Sequence, residues 1–585
     1  MRTHVDAETG GHGGRTRVEF NIADLFEAVV DTAPDRVALV CGSTRLTYAE
    51  LEARSNQLAH GLSRHGIAAG DHVGCYLHND AEHVETMLAA YKLRAVPINV
   101  NYRYVDDELA YLFNDAGLAA LVYGAEFRAH VVAVAPRVPS LRLLVEVAPS
   151  AAPDTPPGVP RPDGALDYEA LLGGASPARD FGPRSGDDRY VCYTGGTTGR
   201  PKGVVWRQED IVFTALGGGN AGGPPLRRPD DIRRAVRENR AQRVGPFLGP
   251  GDPGPEQFVS LGLGPLMHAS GQWSALGTLL GGGTCVLDPD RHVDLVRVLD
   301  LVERERVVAL NVIGDANARP LADLLEQNPG RWDLSSLRLL GSGGSMLSAD
   351  VKARLLAAIP SLLGVLEGFG SSESPVQGIA ITRRDGEPTA LTFSTRETTT
   401  VLDDDLRPVV PGSGVVGRVA TTGRIPLGYL NDPEKTAATF IEIDGMRYAL
   451  PGDMATVEAD GTLRLLGRGS LCINTGGEKV YPEEVEAALK RHPEVRDAVV
   501  VGVPDPTWGE RVTAVVQPHD PDRAPTLDAL DRHCRAYVAG YKVPRRLVVV
   551  DEIVRTPAGK PDYRWARDTA LARLGVTADP GARPE

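Results

Sequence analysis

Cysteine is scarce in this chain. The six present, Cys41, Cys75, Cys192, Cys285, Cys472 and Cys534, lie too far apart to form the Cys-x-x-Cys pair of a zinc or redox site. They read as small core residues. Long apolar runs are missing too, and without a stretch of about 18 apolar residues a membrane-spanning helix is not expected. The polar, glycine-rich segment 1–18 lacks the apolar core of a signal peptide, so the expected location is the cytoplasm. Positive charge is in deficit: 63 Lys and Arg face 77 Asp and Glu, and the net charge of -14 opposes binding to nucleic acid through its phosphates. No repeat at the period of a solenoid is visible.

A length of 585 residues exceeds one ordinary hydrophobic core and asks for several packed units. From Phe20 onward, short β-branched runs alternate with amphipathic stretches, the rhythm of strand-helix-strand units building a mostly parallel sheet. Thr47-Tyr-Ala-Glu50 has the form of a capping box, and Leu51, Leu58 and Leu62 follow along one helical face. Strands are expected at 72–77 and 95–100, with a helix at 84–91 between them. The Pro- and Gly-rich segments 149–164 and 217–255 read as surface insertions or lids, the second carrying a charged stretch, 227–243, of helical character. From about residue 470 the pattern changes. Pro482 suits a first helical position, a helix is expected at 483–490, strands at 497–503, 512–517 and 547–550, and a further helix at 526–538. This is a small α+β domain.

Tyr190-Val-Cys-Tyr193 reads as a buried strand that delivers the chain into Thr194-Gly-Gly-Thr-Thr-Gly199. There Gly195, Gly196 and Gly199 allow backbone amides to approach an anion, while Thr194, Thr197 and Thr198 add hydroxyl donors. Lys202 closes the segment with a point charge suited to the β- and γ-phosphates of a nucleotide. The spacing is not that of a Walker loop, and a flexible Gly/Thr hairpin is the plain structural alternative.

The segment Tyr193-Thr-Gly-Gly-Thr-Thr-Gly-Arg-Pro-Lys-Gly203 resembles the phosphate-loop signature of the adenylate-forming superfamily of acyl-CoA synthetases, luciferases and peptide-synthetase adenylation domains. Further signatures come in the same order. Gly341-Ser-Gly-Gly-Ser345 resembles the glycine-rich stretch beside adenine, which points to Gly343, Gly344 and Ser345. Glu367-Gly-Phe-Gly-Ser-Ser-Glu373 is similar to the family's Tyr-Gly-x-Thr-Glu motif, with Phe369 and Ser372 in place of tyrosine and threonine. By that resemblance Glu367, Gly368, Phe369 and Gly370 border the nucleotide, with Phe369 stacked on adenine. Ser372 contacts the α-phosphate region and Glu373 binds Mg²⁺, a hard cation that favours carboxylate and phosphate oxygens.

Pro451-Gly-Asp453 and Arg468 match the ribose-binding residues. Pro265-Leu-Met-His268-Ala-Ser-Gly271 resembles the segment beside the acid pocket, where His268 would gate or position the substrate. Arg555-Thr-Pro-Ala-Gly-Lys560 resembles the catalytic-lysine motif, whose cation stabilises charge developing as a carboxylate attacks the α-phosphorus. Taken singly, a Gly-Asp pair or a Pro-x-Gly-Lys turn is an ordinary loop. The ordered set carries the resemblance.

The likeness spans about residues 20–568 and is nearest to bacterial fatty-acyl and steroid-side-chain CoA ligases, through Phe20-Asn-Ile-Ala-Asp-Leu25, Cys472-Ile-Asn-Thr-Gly-Gly-Glu-Lys-Val-Tyr-Pro-Glu-Glu484 and Gly559-Lys-Pro-Asp-Tyr-Arg-Trp565. It implies an α/β fold with a large multi-subdomain adenylation domain of mixed βα sheets and a small mobile α+β C-terminal domain. The implied bounds are a flexible N-terminus at 1–19, an AMP-binding domain at 20–467, a hinge at 468–470, a C-terminal domain at 471–568 and a tail at 569–585.

The implied reaction joins a carboxylic acid to ATP, releases pyrophosphate and passes the acyl group to CoA, with Mg²⁺ as cofactor and Gly476 and Gly477 lining the pantetheine tunnel. Ser470 and Asn474 depart from residues often found after the hinge, which bears on the CoA step. Alternatives are adenylation with a carrier protein or amine as acceptor, nitrite activation for diazo formation, and a nucleotide-binding protein without catalysis. The joint presence of Lys202, Glu373, Asp453 and Lys560 disfavours the last. Acid-pocket walls are expected near Trp206, 265–273, 314–318 and 375–378, and the sequence leaves a homodimer open.

Overall fold

The side chain of Thr47 accepts from the Glu50 amide, and the Glu50 carboxylate accepts in return from the Thr47 amide, so the capping box starts the helix Tyr48–Arg64 as expected. The structure is a computed structural model and describes residues 19–148, 159–194, 200–220, 223–238, 255–345, 347–384, 392–475, 478–505, 508–556 and 559–576, apart from the Ser470 side chain. Leu51 of that helix enters the core that holds Phe26 and Trp206. Leu58 and Leu62, further along the same face, enter a second core under a different sheet. One amphipathic helix thus ties two subdomains together.

The second sheet is parallel throughout, in the order Val96–Asn99, His72–Tyr76, Leu118–Gly124, Leu143–Val147 and Leu166–Asp167. The helix Ala81–Lys92 makes the crossover between His72–Tyr76 and Val96–Asn99. The larger sheet has a parallel stretch, Val37–Cys41, Thr284–Leu287, Val259–Gly262, Ala309–Val312, Leu339–Gly343 and Gly364–Ser371. It then turns antiparallel through Ser374–Arg383, Thr392–Thr395, Leu463–Arg468, Asp453–Val457 and Gly417–Thr422. The expectation of a mostly parallel sheet therefore holds only up to Ser371. Several connections beyond it are hairpins, too short to carry the crossover that a parallel pair needs. A third sheet, Gly428–Tyr429, Lys202–Arg207 and Arg189–Thr194, stands between the two.

Near the C-terminus, Val495–Asp505 and Gly509–Pro518 form a long hairpin, with Arg546–Val549 added in parallel. Its alternation places Ala498 and Val500 in one core with Val485, Leu489 and Leu530. Val499, Val501 and Val503 enter another core under Ala566 and Ala570. A strand of period two with helices on both faces buries both sets. Pro482 does occupy the first turn of the helix Pro482–Leu489. The helix expected at 526–538 is shorter, Leu527–Cys534 capped by Thr526, and the one within 227–243 is Asp231–Glu238, beyond which residues 239–243 lie outside the described residues. The boundary expected at 568 cuts a helix, Tyr563–Leu574, whose Leu571 and Leu574 pack on the domain. The packed unit therefore runs on to Val576.

Asn99 joins the pieces around the cleft. Its amide donates to the carbonyls of Tyr193 and Met267, at 2.8 and 2.6 Å, and its oxygen accepts from the Tyr193 amide at 2.7 Å. One buried side chain thereby links the parallel sheet, the start of the phosphate segment and the residue before His268. Replacing it strands several buried backbone groups, each costing about 1–3 kcal/mol. Asn99→Ala is accordingly expected to lower the thermal midpoint by several degrees in differential scanning fluorimetry, whereas an unchanged midpoint would deny this link its stabilising role.

Candidate active site

Arg189–Thr194 and Lys202–Arg207 are antiparallel, with Thr194 opposite Lys202, so the expected phosphate segment spans a hairpin and does not run from a strand into a helix. That separates it geometrically from a Walker loop. Gly195, Gly196, Thr197, Thr198 and Gly199 lie outside the described residues, as do Gly476 and Gly477. Thr194 and Lys202 are half-buried and face each other where the two strands meet the segment between them. Desolvation, then the neighbouring Lys435, lower the pKa of Lys202 against the pull of Asp432 and Glu373. Its ammonium lies 5.5 Å from the centre of the Tyr429 ring, within cation–π range.

Nothing in the sequence singles out Tyr429. Its hydroxyl donates to Glu373 Oε1 at 2.6 Å, which fixes one oxygen of that carboxylate. The indole of Trp206 donates to the carbonyl of Ser372 at 3.0 Å and holds the same turn from behind. A tyrosine on a strand reads as packing, so only its pairing through Gly428–Tyr429 to Lys202–Arg207 discloses the contact.

Two strand ends make a floor almost free of side chains. Gly343 is opposite Gly368, and a Cβ on Gly368 would meet nothing within 4 Å. Gly370 is obligatory for another reason: a Cβ there would lie 2.3 Å from the carbonyl oxygen of Pro375. Gly344 has φ +80 and faces Lys560, while Ser345 beside it is half-buried. Two expectations for this region change. The Glu367 carboxylate is taken by Lys352 in a buried ion pair of 2.6 Å, so its side chain serves the fold. Phe369 is 8% exposed as a residue, its ring edge-on to Phe393 at 4.9 Å and packed with Val401 and Val419, which makes it chiefly a core residue.

Charged groups ring the floor. Asp453 and Arg468 are opposite each other on neighbouring strands and approach to 3.4 Å. Burial raises the pKa of Asp453, and Arg468 and Lys560 counteract it. Lys560 comes from the far end of the chain. The Thr556 amide donates to its carbonyl at 2.7 Å, and Gly559 closes the turn with φ +73, where a Cβ would press 2.9 Å from Ile313. The Lys560 side chain is surrounded by protein and keeps access to solvent. Desolvation and then Arg468 lower its pKa, while Asp453 and Glu373 hold the charge in place.

His268 is the cap residue before the helix Ala269–Leu280, and its Nε2 is buried without a partner. Burial, with Lys560 and Arg103 nearby, pushes its pKa down to about 4, so it is neutral at physiological pH. The structure therefore brings Glu373, Asp453, Arg468, Lys202, Lys560 and His268 around one glycine-lined cleft. Such a set suits a ligand bearing both anionic groups and hydroxyls. The described residues contain no group of three His, Cys, Asp or Glu able to hold a metal by themselves.

The chain resembles known proteins over most of its length. Residues 26–430 match the AMP-binding enzyme family, and residues 484–560 match the AMP-binding enzyme C-terminal domain. The chain is 46% identical over 558 residues to the 3-oxocholest-4-en-26-oate–CoA ligase of Rhodococcus rhodochrous, covering 94% of this chain and 95% of that protein. It is 40% identical over 573 residues to the medium-chain acyl-CoA ligase Mig of Mycobacterium avium, covering 95% and 99%. Among solved structures, the anthranilate CoA ligase AuaEII in complex with anthranoyl-AMP aligns with a TM-score of 0.79 at 23% identity over 96% of this chain and 99% of that one, a likeness of fold. The amide bond synthetase McbA of Marinactinospora thermotolerans aligns with a TM-score of 0.73 at 26% identity over 94% and 99%.

If Asp453 accepts from hydroxyls of a bound nucleotide, Asp453→Asn loses charge-assisted hydrogen bonds worth about 1.5–3 kcal/mol together. Isothermal titration should show ATP binding weakened roughly 10- to 100-fold. An unchanged affinity would remove Asp453 from the nucleotide site.

Proposed function

The chain belongs to the AMP-binding enzyme family, with both its main and its C-terminal domain matched, and from that premise we propose an ATP-dependent acid–thiol ligase acting on fatty-acyl or steroid-side-chain carboxylates. One observation carries the reading: Lys560, delivered by the C-terminal domain, lies beside Gly344 and within the field of Asp453, Glu373 and Arg468. The substrate class is that of relatives of 40–46% identity named as medium-chain acyl-CoA and 3-oxocholest-4-en-26-oate–CoA ligases.

In the first half-reaction an oxygen of the acid carboxylate attacks the α-phosphorus of ATP. The new bond gives the acyl-AMP ester, the bond from that phosphorus to the bridging oxygen breaks, and pyrophosphate departs. Lys560 places a cation where negative charge accumulates, and Lys202 does so for the outer phosphates. Asp453 and Arg468 hold the ribose. Glu373, with one oxygen already fixed by Tyr429, is the proposed protein ligand of Mg²⁺, which would supply charge neutralisation at the phosphates. Neutral His268 positions the acid without adding a further cation. In the second half-reaction the CoA thiol attacks the acyl carbon, AMP leaves with the bonding pair, and the thiol proton passes to solvent.

The reading includes a hinge at 468–470 about which the C-terminal domain turns between the two steps, passage of pantetheine past Gly476 and Gly477, and a cytoplasmic location, where ATP and CoA are supplied. Among the described residues no helix is long and apolar enough to cross a membrane.

The deciding measurement is pyrophosphate release with ATP against fatty acids, steroid side-chain acids, aryl acids and nitrite, with and without CoA. Thioester and AMP are the expected products with the first two classes. Pyrophosphate release with nitrite and an arylamine, and no thioester from any carboxylate, would overturn the reading. Lys560→Ala should slow adenylation by on the order of 10²- to 10³-fold yet still convert supplied acyl-AMP and CoA to thioester. Undiminished adenylation would relieve the lysine of this role.

A further inference from the structure

At the junction of the two domains the strand Leu463–Arg468 turns into the short helical turn Gly469–Leu471, and the helix Pro482–Leu489 of the C-terminal domain packs against it. Gly467 has φ +108, and a Cβ there would lie 1.9 Å from Glu483 Oε2 and 2.2 Å from its carboxyl carbon. The Glu483 carboxyl thus occupies the space that a side chain at 467 would fill. Although the residue as a whole is half-buried, Oε2 is shut away from solvent without a hydrogen-bond partner. The sequence motif around Pro482 marks a helix start and says nothing of this contact.

Resting on the function proposed above, we propose that Glu483 is the positioning residue that seats the C-terminal domain for adenylation, its carboxyl registering the helix Pro482–Leu489 on the Gly467–Arg468 backbone so that Lys560 reaches Gly344.

The chemistry of the seam couples this seating to a proton. Glu483 faces Glu486 on its own helix, Asp453 from the neighbouring strand, the backbone of Arg468 from the hinge and Tyr563 from the terminal helix. Burial first, then repulsion from Glu486 and Asp453, raise its pKa above the ordinary 4.5, against hydrogen bonds to its own and the Arg468 backbone. Glu486 is raised as well, mainly by burial. Lys490, the Val500 amide and the Tyr563 hydroxyl favour its ionised form, and Asp497 opposes it. Two carboxyls three residues apart in a closed seam share this pressure toward the neutral form.

Rotation that lifts the helix from Gly467 returns Glu483 to water and to its ordinary range. Proton linkage sets the sign. The seated arrangement is favoured by protonation below about 4.5 and loses that advantage as pH rises from there toward the raised value, by up to about tenfold per pH unit.

A spin-label pair at the exposed positions Val132 and Val549, one in each domain, reads the seated population by double electron–electron resonance without requiring turnover. In the wild type the seated distance should lose population with rising pH. Glu483→Gln, which keeps the shape and removes the charge, should hold it constant. Glu483→Asp, which withdraws the carboxyl from Gly467, should lower adenylation kcat at least several-fold and leave thioester formation from supplied acyl-AMP unchanged. A distance distribution that responds to pH alike in wild type and Glu483→Gln, or equal losses in both half-reactions, would overturn the proposal. If no carboxylate supports pyrophosphate release in the wild type, the functional reading fails, while the distance measurement still decides the seating.

Discussion

One ammonium group, that of Lys560, must be carried from the small domain into a cleft of the large one and kept charged there. Bringing a cation among close protein groups costs solvation, and Arg468 adds repulsion. Asp453 and Glu373 work against both. Much of the rest serves this placement. Arg555 donates to the Gly559 carbonyl at 3.1 Å and pairs with Asp497, so the lysine turn is braced from its own domain. Burial works against ionisation of Asp497, yet Lys490 and Arg555 hold its pKa down to about 2. The turn does not swing freely on its hairpin; it is tied to the long strand Val495–Asp505.

The large domain makes room for what the small one delivers. Space in the cleft comes from missing side chains at Gly343, Gly344 and Gly368, and tight packing behind it comes from Gly370, where the Pro375 carbonyl fills the place of a Cβ. The same residue type therefore does opposite things two positions apart on one strand: one glycine opens a surface and the other closes a core. Around this floor the polar anchors come from separate sheets. Tyr429 fixes Glu373 from the hairpin sheet, and Asn99 stitches that sheet to the parallel one. Because rigid strands carry the groups, a ligand would meet them already oriented.

Contact between the domains is electrostatic as well as steric. Asp315 of the large domain acts on Lys490 of the small one, and Arg496 reaches Asp323 at 4.0 Å. These groups, the Gly559 turn against Ile313, and Glu483 against Gly467 define one seated arrangement. If the C-terminal domain turns as proposed, such contacts need to be specific and reversible. The Arg496–Asp323 pair is partly solvated, and an ion pair of that kind is worth about 1 kcal/mol or less, which fits that need.

By itself the sequence determined the elements and the chemical inventory. The capping box at Thr47, the helix start at Pro482, the period-two strand around Val499 and the ordered glycine, carboxylate and lysine motifs are local signals, set by spacing and by side-chain chemistry that neighbours along the chain can express. Tertiary structure alone decided which of those groups meet. Glu367 carries the same charge as Glu373 yet turns away to Lys352, and Phe369 sinks into a core. Tyr429 and Glu483, unremarkable as letters, meet partners that the local sequence does not indicate, Glu373 at a distance of 56 residues and Gly467 across the domain junction. The physical reason is that burial and through-space charge depend on partners distant in the chain, and no local pattern encodes them.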